Sequence, residues 1–225
     1  MSYYFLFVIL FIVGAYLEDA WRNKTLPQFC KASGVLAIAA LIGVCINLSN
    51  LYHTYKYSKE TMRSKSELVT TGDAAKQTSS GLDRDYITHW SYGIGETWTL
   101  LVPNFKGGAS VPLAANETAM EKANPMYVSL YQQLSQYFGD QPMTSGPVYV
   151  GAFVLFLFIL GCFIVKGPLK WALLGATCFS IVLAWGKNFM PLTDFFIDYI
   201  PMYSKFRAVS SILVIAEFTI PLLAI

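Results

Sequence analysis

The residues best placed for chemistry in this sequence are a basic pair, Lys205 and Arg207, at the end of the stretch GKNFMPLTDFFIDYIPMYSKFRA. An apolar run begins directly after them, near residue 208, so we expect the pair at the N-terminal mouth of a membrane helix. Two cations beside the unpaired N–H groups of a helix start suit a phosphate at headgroup depth. Alternatively, the pair only anchors the helix by reaching toward lipid headgroups.

Two acidic residues are further candidates. Glu96 follows Gly95 in a segment rich in Trp and Tyr, where it is either a carboxylate that contacts substrate or a solvated loop acid. Glu217 falls inside the last apolar run, and a carboxylate is costly in lipid. We therefore expect Glu217 to face a protein interior or a polar cavity, with a functional role or a helix-to-helix hydrogen bond as the alternatives.

Several other kinds of site are not supported by the sequence. The two histidines, His53 and His89, are far apart and show no metal-ligand spacing, so neither a metal site nor a cofactor is predicted. The four cysteines lie in or beside apolar runs without a CxxC motif, which is typical of small packing residues. A net charge of +2 supplies no basic face for nucleic acid, which excludes that class of partner.

The composition indicates an integral membrane protein. The chain has 225 residues, of which 55% are hydrophobic and 13% charged, and its mean hydropathy is +0.46. Runs of about 17 to 25 apolar residues can cross the hydrocarbon layer as helices. We predict an all-α fold with about five transmembrane helices, near 1–17, 34–50, 147–166, 169–186 and 208–225.

These runs divide the chain into two spans (1–50), a long loop (51–146) and three spans (147–225). The short connections 18–33 and 166–170 carry several basic residues and fall on one side, which the positive-inside rule makes cytoplasmic. The long loop is then extracytoplasmic and partly helical.

The gap between the last two runs predicts an interfacial amphipathic helix over 191–200. Its apolar residues repeat at three and four positions, as Leu192, Phe195, Phe196, Tyr199 and Ile200. Asp194 and Asp198 share the opposite face. A helix this short suits a position parallel to the membrane, with its two carboxylates toward water.

Within the long loop, residues 55–68 are predicted to continue the second helix, and 70–85 to be a mobile stretch of turn formers. The segment 85–108 interleaves glycines with aromatic residues and fits a loop at the membrane interface. Residues 124–142 are predicted as a surface helix that Gly139 ends.

Three segments, GETWTLLVPNFKGG, YFGDQPMTSGPVYVG and WGKNFMPLTDFFIDYIPMYSKFRAVSSILVIAEF, resemble the YfhO family of bacterial multi-spanning membrane proteins. That family is similar to GT-C glycosyltransferases. The resemblance implies a bacterial inner-membrane enzyme that moves a sugar from a polyprenyl-phosphate donor to an extracytoplasmic acceptor. It implies phosphate contact by Arg207 and Lys205, and substrate contact in the loop by Glu96 and His89.

The chain departs from such enzymes in one respect. They place catalytic carboxylates in the first large extracytoplasmic loop, whereas here Glu18 and Asp19 fall on the predicted cytoplasmic side. We therefore expect an internal fragment, inactive alone, whose partners are membrane lipids and the remainder of a longer chain. The alternatives are part of a transporter or flippase, with interrupted helices and polar residues near mid-bilayer, and a non-catalytic membrane subunit.

Overall fold

The computed structural model describes residues 2–58, 82–146, 148–200 and 203–225. Within these ranges the regular secondary structure is helical, and β pairing is limited to two isolated bridges. The α-helices in chain order are α1 (Ser2–Arg22), α2 (Leu26–Ile46), α3 (Leu48–Ser58), α4 (Arg84–Ile87), α5 (Glu117–Glu121), α6 (Val128–Gln133), α7 (Ala152–Ile164), α8 (Pro168–Ala184), α9 (Met190–Tyr199) and α10 (Val214–Ala224).

Two of the described helices, α1 from Tyr4 onward and α2, are long and apolar enough to cross a membrane. Within the described residues the all-helical fold is confirmed, whereas membrane insertion and the count of five spans are not. Helix α7 has 13 residues, a length of about 20 Å against the roughly 30 Å of a bilayer core. Helix α8 and the segment up to Tyr199 would make a third span only if the 106° bend between them lies within it.

The observed helix ends differ from the predicted ones for local reasons. Helix α1 continues past residue 17 to Arg22, and within this extension Glu18 and Arg22 form an exposed ion pair one turn apart. Helix α7 begins at Ala152 instead of 147 because Gly151, at φ 110°, breaks the helical backbone. Just before it, Val150 N donates to Leu100 O at 3.4 Å, so these residues join α7 to the loop.

The core of the bundle lies around α8, which packs against α1 on one side and α10 on the other, while α7 packs against α10. The contact between α7 and α10 is close because Gly161 has no side chain: a Cβ there would overlap the carbonyl oxygen of Leu223. Helices α8 and α10 are also joined by a buried hydrogen bond of 2.6 Å between the hydroxyls of Thr177 and Thr219.

Helix α2 stands apart from this core, because none of its residues is buried. Three of the four cysteines, Cys30, Cys45 and Cys178, are exposed on helix surfaces, and Cys162 is half-buried against the core. The prediction that the cysteines are packing residues is therefore correct for Cys162 alone.

Different connecting segments lie at the two ends of the bundle. At one end the α1–α2 and α7–α8 connections lie together around a cavity of about 600 Å³, lined by Glu18, Asp19, Arg22, Gly167, Pro168 and Trp171. At the other end, the long loop covers the C-terminus of α8, where Tyr92 N donates to Ala184 O at 2.8 Å. The two short basic connections thus share one end, opposite the loop.

A helix is present as α9 where the sequence predicts one at 191–200, and its surroundings differ from those predicted. Phe196 is buried against Phe7 and Phe179 of the bundle, while Phe195 and Tyr199 stay exposed. The carboxylates of Asp194 and Asp198 do not simply face water, because both form ion pairs with Arg84 of the loop. The two acids keep 40% and 47% of their side-chain surface exposed, so they face water as predicted and also pair with the loop that folds back over α9.

The surface helix predicted over 124–142 is largely wrong. Only α6 forms, after a 3₁₀ turn at Pro125–Tyr127, and the chain is bridged to Pro112 at Ser135. Gly139 is not a helix stop. The predicted helical extension over 59–68, and residues 70–81 of the predicted mobile stretch, lie outside the described residues.

We expect Gly161→Ala to destabilise the bundle by about 1–3 kcal/mol, because the added methyl must push the α10 backbone away. The matched control is Gly43→Ala on α2, where an added Cβ meets nothing within 4 Å and helix propensity favours alanine by up to about 1 kcal/mol. Unfolding in detergent micelles measures both. Equal midpoints for the two variants would contradict the close packing of α7 on α10.

Candidate functional site

The site is built where the long loop sits on the end of α8. Ser91 is fully buried, and its hydroxyl accepts a 2.8 Å hydrogen bond from Lys187 N, directly after the helix. Gly186 turns the chain there with φ 47°, and a Cβ at this position would overlap the Ser91 hydroxyl. The bend after α8 and the position of residues 88–92 are therefore fixed together.

Four residues next to this contact between the loop and the end of α8 form an aromatic–arginine cluster: Tyr86, His89, Trp90 and Arg207. The guanidinium carbon of Arg207 lies 4.4 Å from the centre of the Trp90 ring and 5.3 Å from that of Tyr86. Its Nη1 also donates to the Tyr86 hydroxyl at 2.7 Å. The His89 ring meets Trp90 edge-on at 5.0 Å, so Arg207 and His89 contact the same indole.

The backbone around Arg207 holds it toward the cluster. Ala208 adopts φ 70°, a left-handed conformation that alanine seldom takes, and its carbonyl oxygen accepts hydrogen bonds from the backbone and hydroxyl of Ser211. Ser210 N then donates to Trp90 O at 3.0 Å. Two segments far apart in sequence are thus joined at the cluster.

The predicted basic pair does not act as one unit in this geometry. Lys205 is half-buried in the 3₁₀ turn Tyr203–Lys205, whereas Arg207 is exposed on the aromatic rings. Arg207 is therefore the cation around which the described site is built.

A polar cluster adjoins the aromatic–arginine cluster and consists of Asp140, Gln141, Lys187, Asn188 and Ser210. The Asn188 amide donates to Asp140 Oδ2 at 3.0 Å, and the Lys187 ammonium donates to the Asp140 carbonyl at 3.2 Å. The Ser210 hydroxyl donates to Gln141 Oε1 at 3.4 Å, so Ser210 contacts both clusters. Sequence reasoning missed this cluster, and only the FGDQP turn offered a signal for it.

Glu96 is neither a solvated loop acid nor an accessible substrate contact, because its side chain is 2% exposed. Gly93 N donates to Glu96 Oε2 at 2.6 Å, Asp140 N donates to the same oxygen at 3.4 Å, and the Tyr137 hydroxyl donates to Oε1. Gly139 is required here, since a Cβ would overlap Glu96 Oε1. The carboxyl group therefore joins two parts of the loop.

Glu217 lies on an exposed face of α10, and the prediction that it faces an interior or a polar cavity is wrong. Glu217 lies in the first turn of α10, and the 3₁₀ helix Val209–Leu213 runs directly into this turn. The charge of Glu217 acts on Tyr92, so this turn lies near the loop end of the bundle.

Two tyrosines of the loop, Tyr92 and Tyr137, have raised pKa values. Burial, followed by the charges of Glu96 and Glu217, raises the pKa of Tyr92 to about 12, despite an opposing hydrogen bond with Thr99. Burial and its hydrogen bond to Glu96 raise the pKa of Tyr137 as well. Both phenols can therefore act as hydrogen-bond donors throughout the neutral pH range.

Among the described residues, no three His, Cys, Asp or Glu side chains come together in a way that could hold a metal ion. No protein-family model, curated protein sequence or solved structure matches this chain. The resemblance to the YfhO family therefore remains a prediction from the quoted segments, and the described geometry carries the functional argument.

We expect Glu96→Ala to loosen the loop, because Gly93 N–H and the Tyr137 hydroxyl lose their buried acceptor at a cost of about 1–3 kcal/mol. Amide hydrogen exchange should become faster over 93–96 and 137–140. The control is Glu117→Ala, an exposed acid of the same loop. Unchanged exchange in the Glu96 variant would show that the carboxyl group does not hold these segments together.

A tyrosinate absorbance titration tests the environment of Tyr92. The difference between the wild-type and Tyr92→Phe curves should have its midpoint near pH 12. Because the folded pKa lies above the ordinary value of about 10, Tyr92 stabilises the fold fully below that pH and loses this contribution as pH rises toward 12. A midpoint near pH 10 would contradict the burial.

Proposed function

We propose that the aromatic–arginine cluster binds the phosphate of a membrane lipid, within a GT-C-like glycosyltransferase that uses a polyprenyl-phosphate-linked sugar. The observation that carries the proposal is the exposed guanidinium of Arg207, stacked 4.4 Å over Trp90 and hydrogen-bonded to Tyr86. The quoted family resemblance supplies the reaction class.

The contacts of Arg207 leave it suited to bind an anion. A guanidinium has five N–H donors in one plane. The Arg207 guanidinium lies 4.4 Å from the centre of the Trp90 ring, and its Nη1 donates to the Tyr86 hydroxyl. Its planar fork matches two phosphate oxygens at once, whereas a lysine ammonium acts as a point charge. His89, whose ring contacts the same indole, is a further candidate donor for such a ligand.

The location favours a lipid over a free anion. The cluster lies at the same end of the bundle as α9, whose exposed Phe195 and Tyr199 suit the interface between water and hydrocarbon. We place this end on the extracytoplasmic face of the bacterial inner membrane, in line with the basic connections at the opposite end.

The polar cluster would receive the sugar. The side chains of Asp140, Lys187 and Asn188 provide an acceptor and donors that suit hydroxyl groups. We assign the catalytic carboxylates to a further segment of a longer chain. Glu96 is buried, and Asp194 and Asp198 pair with Arg84. Asp140 is assigned to the sugar, and Glu18 and Asp19 lie at the opposite end of the bundle. This chain alone is then expected to bind donor without transferring sugar.

One observation favours a second function, as part of a lipid transporter or flippase. The 106° bend between α8 and the segment that ends at Tyr199 resembles the interrupted helices on which transporter sites are built. Movement of a labelled polyprenyl phosphate between leaflets, without any sugar acceptor, would favour this function over transfer. A non-catalytic membrane subunit would show neither activity.

We expect Arg207→Ala to weaken binding of radiolabelled polyprenyl phosphate, with the chain held in phosphatidylcholine nanodiscs. The loss of charge-assisted hydrogen bonds of about 1.5–3 kcal/mol corresponds to roughly ten- to a hundredfold in Kd. The Kd of Arg207→Lys should lie between those of the wild type and Arg207→Ala, since lysine keeps the charge but loses the planar fork.

In the whole enzyme, Arg207→Ala should abolish transfer while leaving membrane insertion intact, and Lys166→Ala should not affect transfer.

The control for binding is Arg22→Ala, which removes an exposed arginine at the far end of the bundle. Competition by inorganic phosphate distinguishes a site for any phosphate from one that needs the lipid. Binding that survives Arg207→Ala unchanged would reduce Arg207 to a membrane anchor.

A further inference from the structure

A second arginine, Arg84, ties the long loop to α9. Its guanidinium pairs with both Asp194 and Asp198, and the distance from Nη2 to Asp198 Oδ1 is 2.6 Å. The two acids are one helical turn apart on α9, so one planar fork can contact both. The Arg84 side chain is 24% exposed, whereas those of Asp194 and Asp198 are 40% and 47% exposed, so the two ion pairs lie at the protein surface and are partly screened by solvent.

The pairing makes Arg84 unsuited to bind phosphate itself. One positive charge faces two negative charges, so the group of three carries a net charge of −1 and repels an anion. The hydrogen bond with Asp198, with the charges of both acids, raises the pKa of Arg84. The two arginines at this end of the bundle therefore differ in role: Arg84 is neutralised by acids, and Arg207 is stacked on aromatic rings.

The position of Arg84 in the chain links it to the aromatic–arginine cluster. It is the first residue of α4, two residues before Tyr86, and its carbonyl oxygen accepts hydrogen bonds from the amide and hydroxyl of Thr88. The next residues, His89 and Trp90, complete the cluster. Fixing Arg84 on α9 therefore fixes the start of the segment that supplies three of the four cluster residues.

Helix α9 is itself held firmly. Phe196 packs against Phe7 of α1, Phe179 of α8 and Tyr203, and the Thr193 hydroxyl donates to Gly186 O at 2.9 Å. The connection therefore runs from the bundle through α9 and Arg84 to the rings beneath Arg207.

We propose that Arg84, through Asp194 and Asp198, is a positioning residue that holds Tyr86, His89 and Trp90 in place for phosphate binding at Arg207. This inference rests on the proposed function of the aromatic–arginine cluster and assigns Arg84 the role of holding that cluster in place. Helix α9 then has two roles, since its exposed aromatic residues meet the membrane while its acids hold the binding segment.

The test compares Arg84→Gln, the Asp194→Asn/Asp198→Asn double variant and the combined triple variant, each in phosphatidylcholine nanodiscs with radiolabelled polyprenyl phosphate. If the fraction of molecules in which the cluster is ordered falls to about a tenth, the apparent Kd for polyprenyl phosphate rises about tenfold. The Arg84 variant and the double variant should show the same rise, and the triple variant no more, because all three break one connection. Arg84→Lys should restore part of the affinity, since an ammonium can reach one acid.

A second readout is hydrogen exchange over residues 84–92, which should become faster in the Arg84→Gln variant while exchange in α8 stays unchanged. Arg22→Gln, at the opposite end, is the matched control and should change neither readout. The inference is overturned if exchange over 84–92 is unaffected, or if Kd stays at the wild-type value in Arg84→Gln while Arg207→Ala weakens binding. If Arg207→Ala binds polyprenyl phosphate normally, the proposed phosphate site is wrong, and so is the role of Arg84 in binding. The exchange measurement then still reports whether Arg84 holds residues 84–92.

Discussion

The described fold depends on how the last turn of α8 is completed. The final carbonyl groups of any α-helix lack intrahelical partners, and a buried end must find them elsewhere. Here the Ala184 carbonyl accepts from Tyr92 of the loop, and the buried hydroxyl of Ser91 accepts from Lys187. This arrangement brings the loop, the bend and α9 to the same end of the bundle, and the aromatic–arginine cluster is built on it.

The loop achieves its own order by satisfying buried polar groups rather than by forming a large apolar core. Glu96 is the centre of this network, since one carboxyl group accepts from Gly93, Tyr137 and Asp140. A buried carboxyl group that lacked these donors would be costly, and the donors would lose their acceptor in turn. The same contacts hold the polar cluster beside the neutral phenols of the loop.

The two arginines at this end show how surroundings assign a role to a side chain. Arg84 lies between two carboxylates, so its charge is used within the fold. Arg207 lies on Trp90 and Tyr86, which hold a cation without cancelling its charge. Among the described residues, Arg84 forms ion pairs with two acids and Arg207 forms none, so an anion approaching this surface would meet the charge of Arg207.

The sequence by itself determined the helical class, the apolar helices α1 and α2 and the existence of α9, because these follow from local periodicity and composition. It did not determine that Asp194 and Asp198 pair with Arg84, that Glu96 is buried, or that His89 and Arg207 share one indole. Those facts depend on contacts between residues that are more than forty positions apart in most cases, as with the 110 positions between Arg84 and Asp194. Only tertiary packing decided them, since each requires the loop to close onto the end of α8 before the partners meet.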